Sequence, residues 1–325
     1  MSDTWPAGGD LVVQFAHQSY HFDERFALRG SEFQHFQTWT PEETADRIRS
    51  ANMLVLSGFW GPELLDRATR LRFIQVCAAG YERFDLAALA ARGIRLANAR
   101  GSNRYAVSEH AIAMILAFTR QLHIARDNQR QGCWRGMVSE PAEREDEVHG
   151  KTLLVYGLGT IGARVAALAK ALGMEVIGVK REIGAHSGDA DEVVAPADFP
   201  AMLPRADFVV LTCPLTPQTE GLIGAAALAA MRPGAYLVNV ARGGCVDQGA
   251  LVAALRRGAI AGAALDTVQQ EPLAADSPLW GMENVIITPH TAGETRRYED
   301  NVLDILVENL DRLRRGETRL LNEIV

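Results

Sequence analysis

At 325 residues the chain is longer than one ordinary domain, and its composition, 48% hydrophobic and 22% charged, supplies apolar material for two cores. A formal net charge of −7 without any dense Lys/Arg block argues against a nucleic-acid surface. The longest apolar run, Ala111 to Phe118, is bounded by His110 and Arg120 and is too short to span a membrane.

Met1 to Asp10 shows no basic stretch followed by an apolar core, so no secretion signal is expected and the reading is cytoplasmic. Cys77, Cys133, Cys213 and Cys245 lie far apart with no CxxC spacing, so buried, reduced thiols are expected. The histidines form no HxxxH pattern, so no metal site is expected.

Strand-length apolar runs stand at Leu11 to Ala16, Met53 to Ser57, Phe73 to Cys77 and Ile94 to Ala97. Between them, Thr40-Pro41 and Gly61-Pro62 open helices, and Asp85 to Ala91 forms one closed by Gly93. Strands alternating with helices predict a parallel sheet, complete before residue 100. Arg100-Gly101-Ser102-Asn103 reads as a hinge. A long helix is expected from Tyr105 to about Arg130, with Val107, Ala111, Met114, Ile115, Phe118 and Leu122 at helical spacing. The polar segment Gln131 to His149, carrying Trp134, crosses a surface or a subunit boundary, or is a solvated loop.

The densest signal follows. Thr152 to Tyr156 is a buried-strand run ending on Gly157-Leu158-Gly159-Thr160-Ile161-Gly162. Helix formers run from Ala163 to Leu172, Gly173 closes the helix, and a second strand follows at Val176 to Val179. A GxGxxG between strand and helix marks a dinucleotide site: Gly157 for the turn, Gly159 for approach to a pyrophosphate, Gly162 for helix–strand packing. The helix N-terminus offers N–H groups and a positive dipole end to phosphate.

Further strands are expected at Phe208 to Thr212, Tyr236 to Val240, Gly262 to Leu265 and Val285 to Thr288, with helices at Ala225 to Met231 and Gly249 to Arg257. The expected architecture is α/β: a doubly wound Rossmann dinucleotide domain over residues 101–290, and a smaller, discontinuous flavodoxin-like substrate domain over 1–100 and 291–325. A last helix, Glu294 to Arg315, returns to the smaller domain.

Three stretches follow predicted strands on the ligand-binding edge of such a sheet: Asn239-Val240-Ala241-Arg242-Gly243-Gly244, Asp266 to Pro272, and Thr288-Pro289-His290-Thr291-Ala292-Gly293. Each contributes one candidate, Arg242, Glu271 and His290. Taken singly, each is as readily a surface or structural residue.

With GLGTIG and the run Cys213-Pro214-Leu215-Thr216-Pro217-Gln218-Thr219-Glu220-Gly221-Leu222-Ile223, these stretches resemble the NAD(P)-dependent D-isomer-specific 2-hydroxyacid dehydrogenases in order and approximate spacing. The resemblance covers nearly the whole chain and is strongest from Gly150 to Gly293. It implies catalytic roles for Arg242, Glu271 and His290. It implies cofactor contacts at Gly157, Gly159, Thr160, Ile161, Gly162, Cys213, Pro214, Val240 and Ala241, with Asp266 near the nicotinamide carboxamide. Ala79-Gly80-Tyr81 matches the loop whose N–H groups hold the substrate carboxylate. Ser108-Glu109-His110 stands where the family usually has Ala-Glu-His, and Trp134 weakly matches a tryptophan that reaches a partner subunit, which implies a homodimer.

The residue types suit reduction of a small 2-oxo acid, and the resemblance favours glyoxylate or hydroxypyruvate, although the sequence does not fix the substrate side chain. A guanidinium at Arg242 clamps the carboxylate and lies against the keto oxygen. An imidazolium at His290 donates to the forming alkoxide, and Glu271 beside it favours the charged ring and fixes its orientation. At the end of the second strand of the glycine-turn unit, where an acid would select NAD, the chain reads Val179-Lys180-Arg181-Glu182. Lys180 and Arg181 suit a 2′-phosphate, so NADP(H) is favoured over NAD(H), with Glu182 as the competing ribose partner. Formate or phosphite oxidation uses a similar scaffold, and a nucleotide-sensing co-repressor is the alternative outside enzymology. Phe59, Trp60 and Tyr81 either narrow the substrate pocket or pack in a core.

Overall fold

A computed structural model describes residues 10–30, 32–184 and 188–325, so the reading of Met1 to Asp10 lies outside the described residues except for Asp10. The chain divides into two compact units, Met1–Asn103 with Thr295–Val325, and Arg104–Glu294.

In the first unit the elements are β1 (Val12–Ala16), α1 (Phe22–Ala27), β2 (Gln34–Thr38), α2 (Pro41–Arg47), β3 (Met53–Leu56), α3 (Pro62–Arg67), β4 (Phe73–Val76), α4 (Leu86–Ala91) and β5 (Arg95–Ala97). Its five strands are all parallel in the order β2-β1-β3-β4-β5, the flavodoxin-like order. The inner strands are apolar except for the buried Gln14 of β1 and Gln75 of β4, and every residue of β3 and β4 is buried, because both faces are covered. Local chemistry starts the helices. Thr40 Oγ1 accepts from Glu43 N–H ahead of Pro41, and an Asp85 carboxylate oxygen accepts from Ala88 N–H.

The second unit comprises α5 (Arg104–Thr119), α6 (Leu122–Arg130), β6 (Thr152–Tyr156), α7 (Thr160–Ala171), β7 (Glu175–Val179), β8 (Glu192–Val194), α8 (Phe199–Met202), β9 (Phe208–Leu211), α9 (Ala225–Ala230), β10 (Tyr236–Asn239), α10 (Gln248–Arg256), β11 (Gly262–Leu265) and β12 (Val285–Ile287). Its parallel sheet runs β12-β11-β10-β9-β6-β7-β8, so the direction in which successive strands are added reverses between β6 and β9, which themselves pair in parallel. That switch point lies where a doubly wound sheet takes its dinucleotide. Apolar clusters fill both faces, one around Leu154, Leu211 and Leu237, the other around Val155, Val210 and Val238. The last helix, α11 (Tyr298–Arg314), packs Val302, Leu306 and Leu310 into the first unit's cluster with Phe15 and Phe73.

The structure departs from these expectations. Strand β2 is absent from the sequence reading because its residues, Gln34-His35-Phe36-Gln37-Thr38, include a single apolar side chain and form no apolar run. Strand β8 is also absent from that reading, because it is three half-buried residues with only two apolar side chains, Val193 and Val194. The single helix expected over Tyr105 to Arg130 is two. The buried stripe of α5 ends at Phe118 and Thr119, Gln121 turns into the left-handed region at φ 49°, and α6 buries none of its residues. The last helix starts at Tyr298 instead of Glu294, because turns closed by Glu294 N–H to Thr291 O and Tyr298 N–H to Thr295 O precede it.

Candidate active site

Gly157 ends β6 with φ +107°, and a Cβ there would come within 3.0 Å of the Cys213 backbone. At Gly162 a Cβ would stand 2.1 Å from the Gly157 carbonyl oxygen, so only glycine lets α7 approach the turn this closely. Gly159, the residue before α7, differs: a Cβ there would meet nothing within 4 Å. Open space therefore lies at the N-terminus of a twelve-residue helix, the arrangement that receives a pyrophosphate. Thr160 is exposed and Ile161 half-buried beside it. Cys213, buried, and Pro214, exposed, follow β9 across the switch point, where Thr212 Oγ1 donates to Gly157 O at 2.7 Å and ties the two loops together. Val240 and Ala241 are buried at the end of β10.

At the end of β7, Lys180 is half-buried with its N–H bonded to Val194 O at 3.0 Å, while Arg181 and Glu182 are exposed.

The neighbouring strands β10, β11 and β12 carry the three charged candidates at their carboxyl ends. Buried Asn239 shapes the first loop: its Nδ2 donates to Arg242 O at 3.0 Å and its Oδ1 accepts from Ala241 N–H at 3.0 Å. Arg242 is half-buried, with Nη1 donating to Ala241 O at 2.8 Å. On the third loop His290 adopts φ 56°, a left-handed conformation costing about 1–3 kcal/mol in a non-glycine residue. Its N–H bonds Asp266 O at 2.8 Å and Thr288 O at 3.0 Å, which offsets that cost. The turn brings His290 Nδ1 to 2.7 Å from Glu271 Oε2, while Glu271 Oε1 accepts from Val268 N–H at 3.2 Å. Both side chains are partly open to solvent, 48% for His290 and 39% for Glu271.

The buried carboxylate of Asp266 accepts from Thr288 Oγ1 at 2.7 Å, from Thr291 N–H at 2.9 Å and from Ala292 N–H at 3.1 Å. The resemblance sets this residue beside the nicotinamide; in the structure its oxygens hold the turn that carries His290. His110 on α5 approaches the same cluster, with Nε2 3.1 Å from Thr288 Oγ1. Neither the Asp266–turn bonds nor the roles of Asn239 and Thr288 were legible from sequence, because each is a short polar side chain whose partners lie on other elements.

Cys77, Cys213 and Cys245 are buried, the last two in one cluster, while Cys133, expected to be buried, is exposed because it follows α6, which buries none of its residues. The neighbouring Cys245 thiol, with burial, pushes Cys213 up.

In the first unit, Ala79-Gly80-Tyr81 follows β4, with Asn98 Nδ2 donating to Ala79 O at 2.7 Å. Gly80 and Tyr81 line a cavity of about 230 Å³ together with Trp60 and Arg83. Trp60 stacks on Phe84 with centroids 4.9 Å apart, so it serves both as cavity wall and as packing, while Phe59 packs against the core cluster around Leu54 and Ile74. A larger cavity of about 680 Å³ runs along α6, lined by Ile124, Cys133, Trp134 and Arg135 among others. Beside it Trp134 and Met137 are fully exposed.

The sequence model for the NAD binding domain of D-isomer specific 2-hydroxyacid dehydrogenases matches residues 112–292. D-3-phosphoglycerate dehydrogenase of Methanocaldococcus jannaschii is 35% identical over 280 residues, 86% of this chain and 52% of that protein. Glyoxylate reductase of Korarchaeum cryptofilum is 34% identical over 277 residues, covering 84% of this chain and 82% of that protein. Among solved structures, a D-isomer specific 2-hydroxyacid dehydrogenase family protein from Aeromonas salmonicida superposes with a TM-score of 0.84 at 31% identity, over 97% of this chain and 99% of that one. The chain spans about half the length of the phosphoglycerate dehydrogenases it matches.

Proposed function

Because the chain belongs to the D-isomer specific 2-hydroxyacid dehydrogenase family, we propose that it reduces a small 2-oxo acid to the D-2-hydroxy acid, with glyoxylate and hydroxypyruvate favoured and NADP(H) preferred to NAD(H). The observation that carries this reading is the 2.7 Å contact between His290 Nδ1 and Glu271 Oε2, one strand away from Arg242. In this reading the second unit is the dinucleotide domain and the first the substrate domain.

The nicotinamide, when bound, supplies the hydride. The residues around the glycine turn fit such a cofactor, since the space at Gly159 is open and the N-terminal N–H groups of α7 would hold a phosphate placed there. Arg242, steadied through Nη1 on Ala241 O, holds the substrate carboxylate and polarises the keto oxygen. With Nδ1 engaged by Glu271, His290 delivers its proton from Nε2 to the developing alkoxide. In oxidation the neutral ring takes that proton back. Ala79, Gly80 and Tyr81 contribute substrate contacts. At the ribose, Lys180 and Arg181 pair with a 2′-phosphate, outweighing Glu182.

The proposal includes a cytoplasmic location and a homodimer. The dimer rests on the apolar side chains of Leu122, Trp134 and Met137 exposed on and just beyond α6. Sedimentation of the purified chain tests it, and a monomer at micromolar concentration would remove it.

The decisive assay is a panel of 2-oxo acids with NADPH and NADH, followed by loss of reduced-nicotinamide absorbance. Turnover of glyoxylate or hydroxypyruvate, faster with NADPH, is expected. Cofactor binding without turnover of any acid would point instead to a nucleotide-sensing protein, and oxidation of formate or phosphite alone would overturn the substrate class.

A further inference from the structure

The cluster beneath the His290 turn contains a histidine that the proposed chemistry does not use. His110 sits on α5, whose residues Val107 and Ala111 are buried in the same apolar cluster as Ala292. Its Nε2 is 3.1 Å from Thr288 Oγ1, and Thr288 Oγ1 is 2.7 Å from Asp266 Oδ1.

The partners of Asp266 fix the direction of this chain. Besides Thr288, the Asp266 carboxyl meets the N–H groups of Thr291 and Ala292 and, at the longer distance of 3.9 Å, His110 Nε2 itself, so the group acts as acceptor throughout. Thr288 has one hydroxyl hydrogen, and it goes to Asp266. In the contact with His110, Thr288 is therefore the acceptor, and His110 Nε2 carries the proton. Asp266 in turn holds the N–H groups of the two residues following His290, on a turn whose φ of 56° is not self-supporting in a non-glycine residue.

We propose that His110 is a positioning residue for His290: its Nε2–H holds the Thr288 hydroxyl on Asp266, and Asp266 holds the strained turn that presents the imidazole to Glu271. The route runs through contacts of 3.1, 2.7 and 2.9 Å within one unit of the fold. Its catalytic consequence rests on the oxoacid reductase reading; its structural consequence does not.

The test compares His110→Leu, which loses the donor, with His110→Gln, whose amide keeps one at the same reach, and with Thr288→Val alone and in combination. Amide hydrogen exchange over residues 288–294 reads the turn directly, and steady-state kinetics read the chemistry. In His110→Leu, exchange at Thr291 and Ala292 should quicken about tenfold and kcat fall about tenfold, with KM for the dinucleotide within about twofold. His110→Gln should restore both to within about threefold of wild type, and His110→Leu/Thr288→Val should be no worse than Thr288→Val. Unchanged exchange in His110→Leu, His110→Gln as impaired as His110→Leu, or additive losses in the double variant would each overturn the proposal. If the wild-type protein turns over no 2-oxo acid, the reductase reading fails while the exchange comparison still decides the role of His110.

Discussion

His290 Nδ1 lies 2.7 Å from Glu271 Oε2, although the two residues are 19 apart in sequence and stand at the ends of different strands, β12 and β11. A carboxylate at this distance occupies Nδ1, fixes the ring and leaves Nε2 as the nitrogen available to a substrate. Replacing His290 with Ala should lower kcat by about 10²–10⁴ while leaving dinucleotide affinity near wild type, measured by fluorescence titration. Full activity in that variant would remove His290 from the chemistry.

Glu271→Gln keeps the size of the side chain and removes its charge. The substitution exchanges a charge-assisted hydrogen bond to His290 Nδ1 for a neutral one, so the ring is held less firmly and kcat for reduction should fall about tenfold with dinucleotide affinity near wild type. Steady-state kinetics check this, and an unchanged kcat would remove the contact from the chemistry.

Cofactor choice is expected to reside at the end of β7. Arg181→Ala should lower kcat/KM for NADPH about tenfold or more and leave that for NADH within about twofold, since only a charge-assisted contact to the 2′-phosphate is lost. Adding Lys180→Ala should deepen the effect. Equal losses with both cofactors would place these cations elsewhere in the binding event.

The close approach at Gly162 predicts a specific failure. A methyl group there would stand 2.1 Å from Gly157 O and 2.8 Å from Thr212 Oγ1, so Gly162→Ala must push α7 away from the turn. Dinucleotide affinity should fall at least about tenfold, because the helix N-terminus loses its aim at the phosphates. Calorimetric titration with the reduced cofactor measures it, and wild-type affinity would show that the turn adapts.

A pH effect on stability is expected from the first unit. Burial lowers the pKa of His17, partly opposed by Glu299, and Nδ1 accepts the N–H groups of Ser19 at 3.0 Å and Tyr20 at 2.9 Å. The folded protein holds this ring neutral, whereas the unfolded chain takes up a proton near the ordinary value of about 6.5. Between those two values the unfolded state binds more protons, so stability falls as pH drops below about 6.5. His17→Asn retains an acceptor for the turn and removes the titration, so its Tm should depend less on pH between about 5 and 7. An identical dependence in the variant would assign the effect to other groups.

Much of this protein can be read along the chain. The strands that lie inside both sheets announce themselves as apolar runs because both their faces are covered, and the dinucleotide turn is readable because its three glycines answer to local geometry within six residues. Thr40-Pro41 and Asp85 mark helix starts for the same reason: each cap acts within one turn. Strands β2 and β8 and the break at Gln121 escape such reading, since β2 carries one apolar side chain and β8 two, and a helix ends where its packing partner ends. The candidate site divides along the same line. Arg242, Glu271 and His290 are separate polar residues in three loops until parallel pairing sets β10, β11 and β12 side by side. Only that pairing brings Glu271 to His290, and only the packing of α5 brings His110 to Thr288, because hydrogen bonds reach about 3 Å and contacts between distant segments exist only once the sheet has formed.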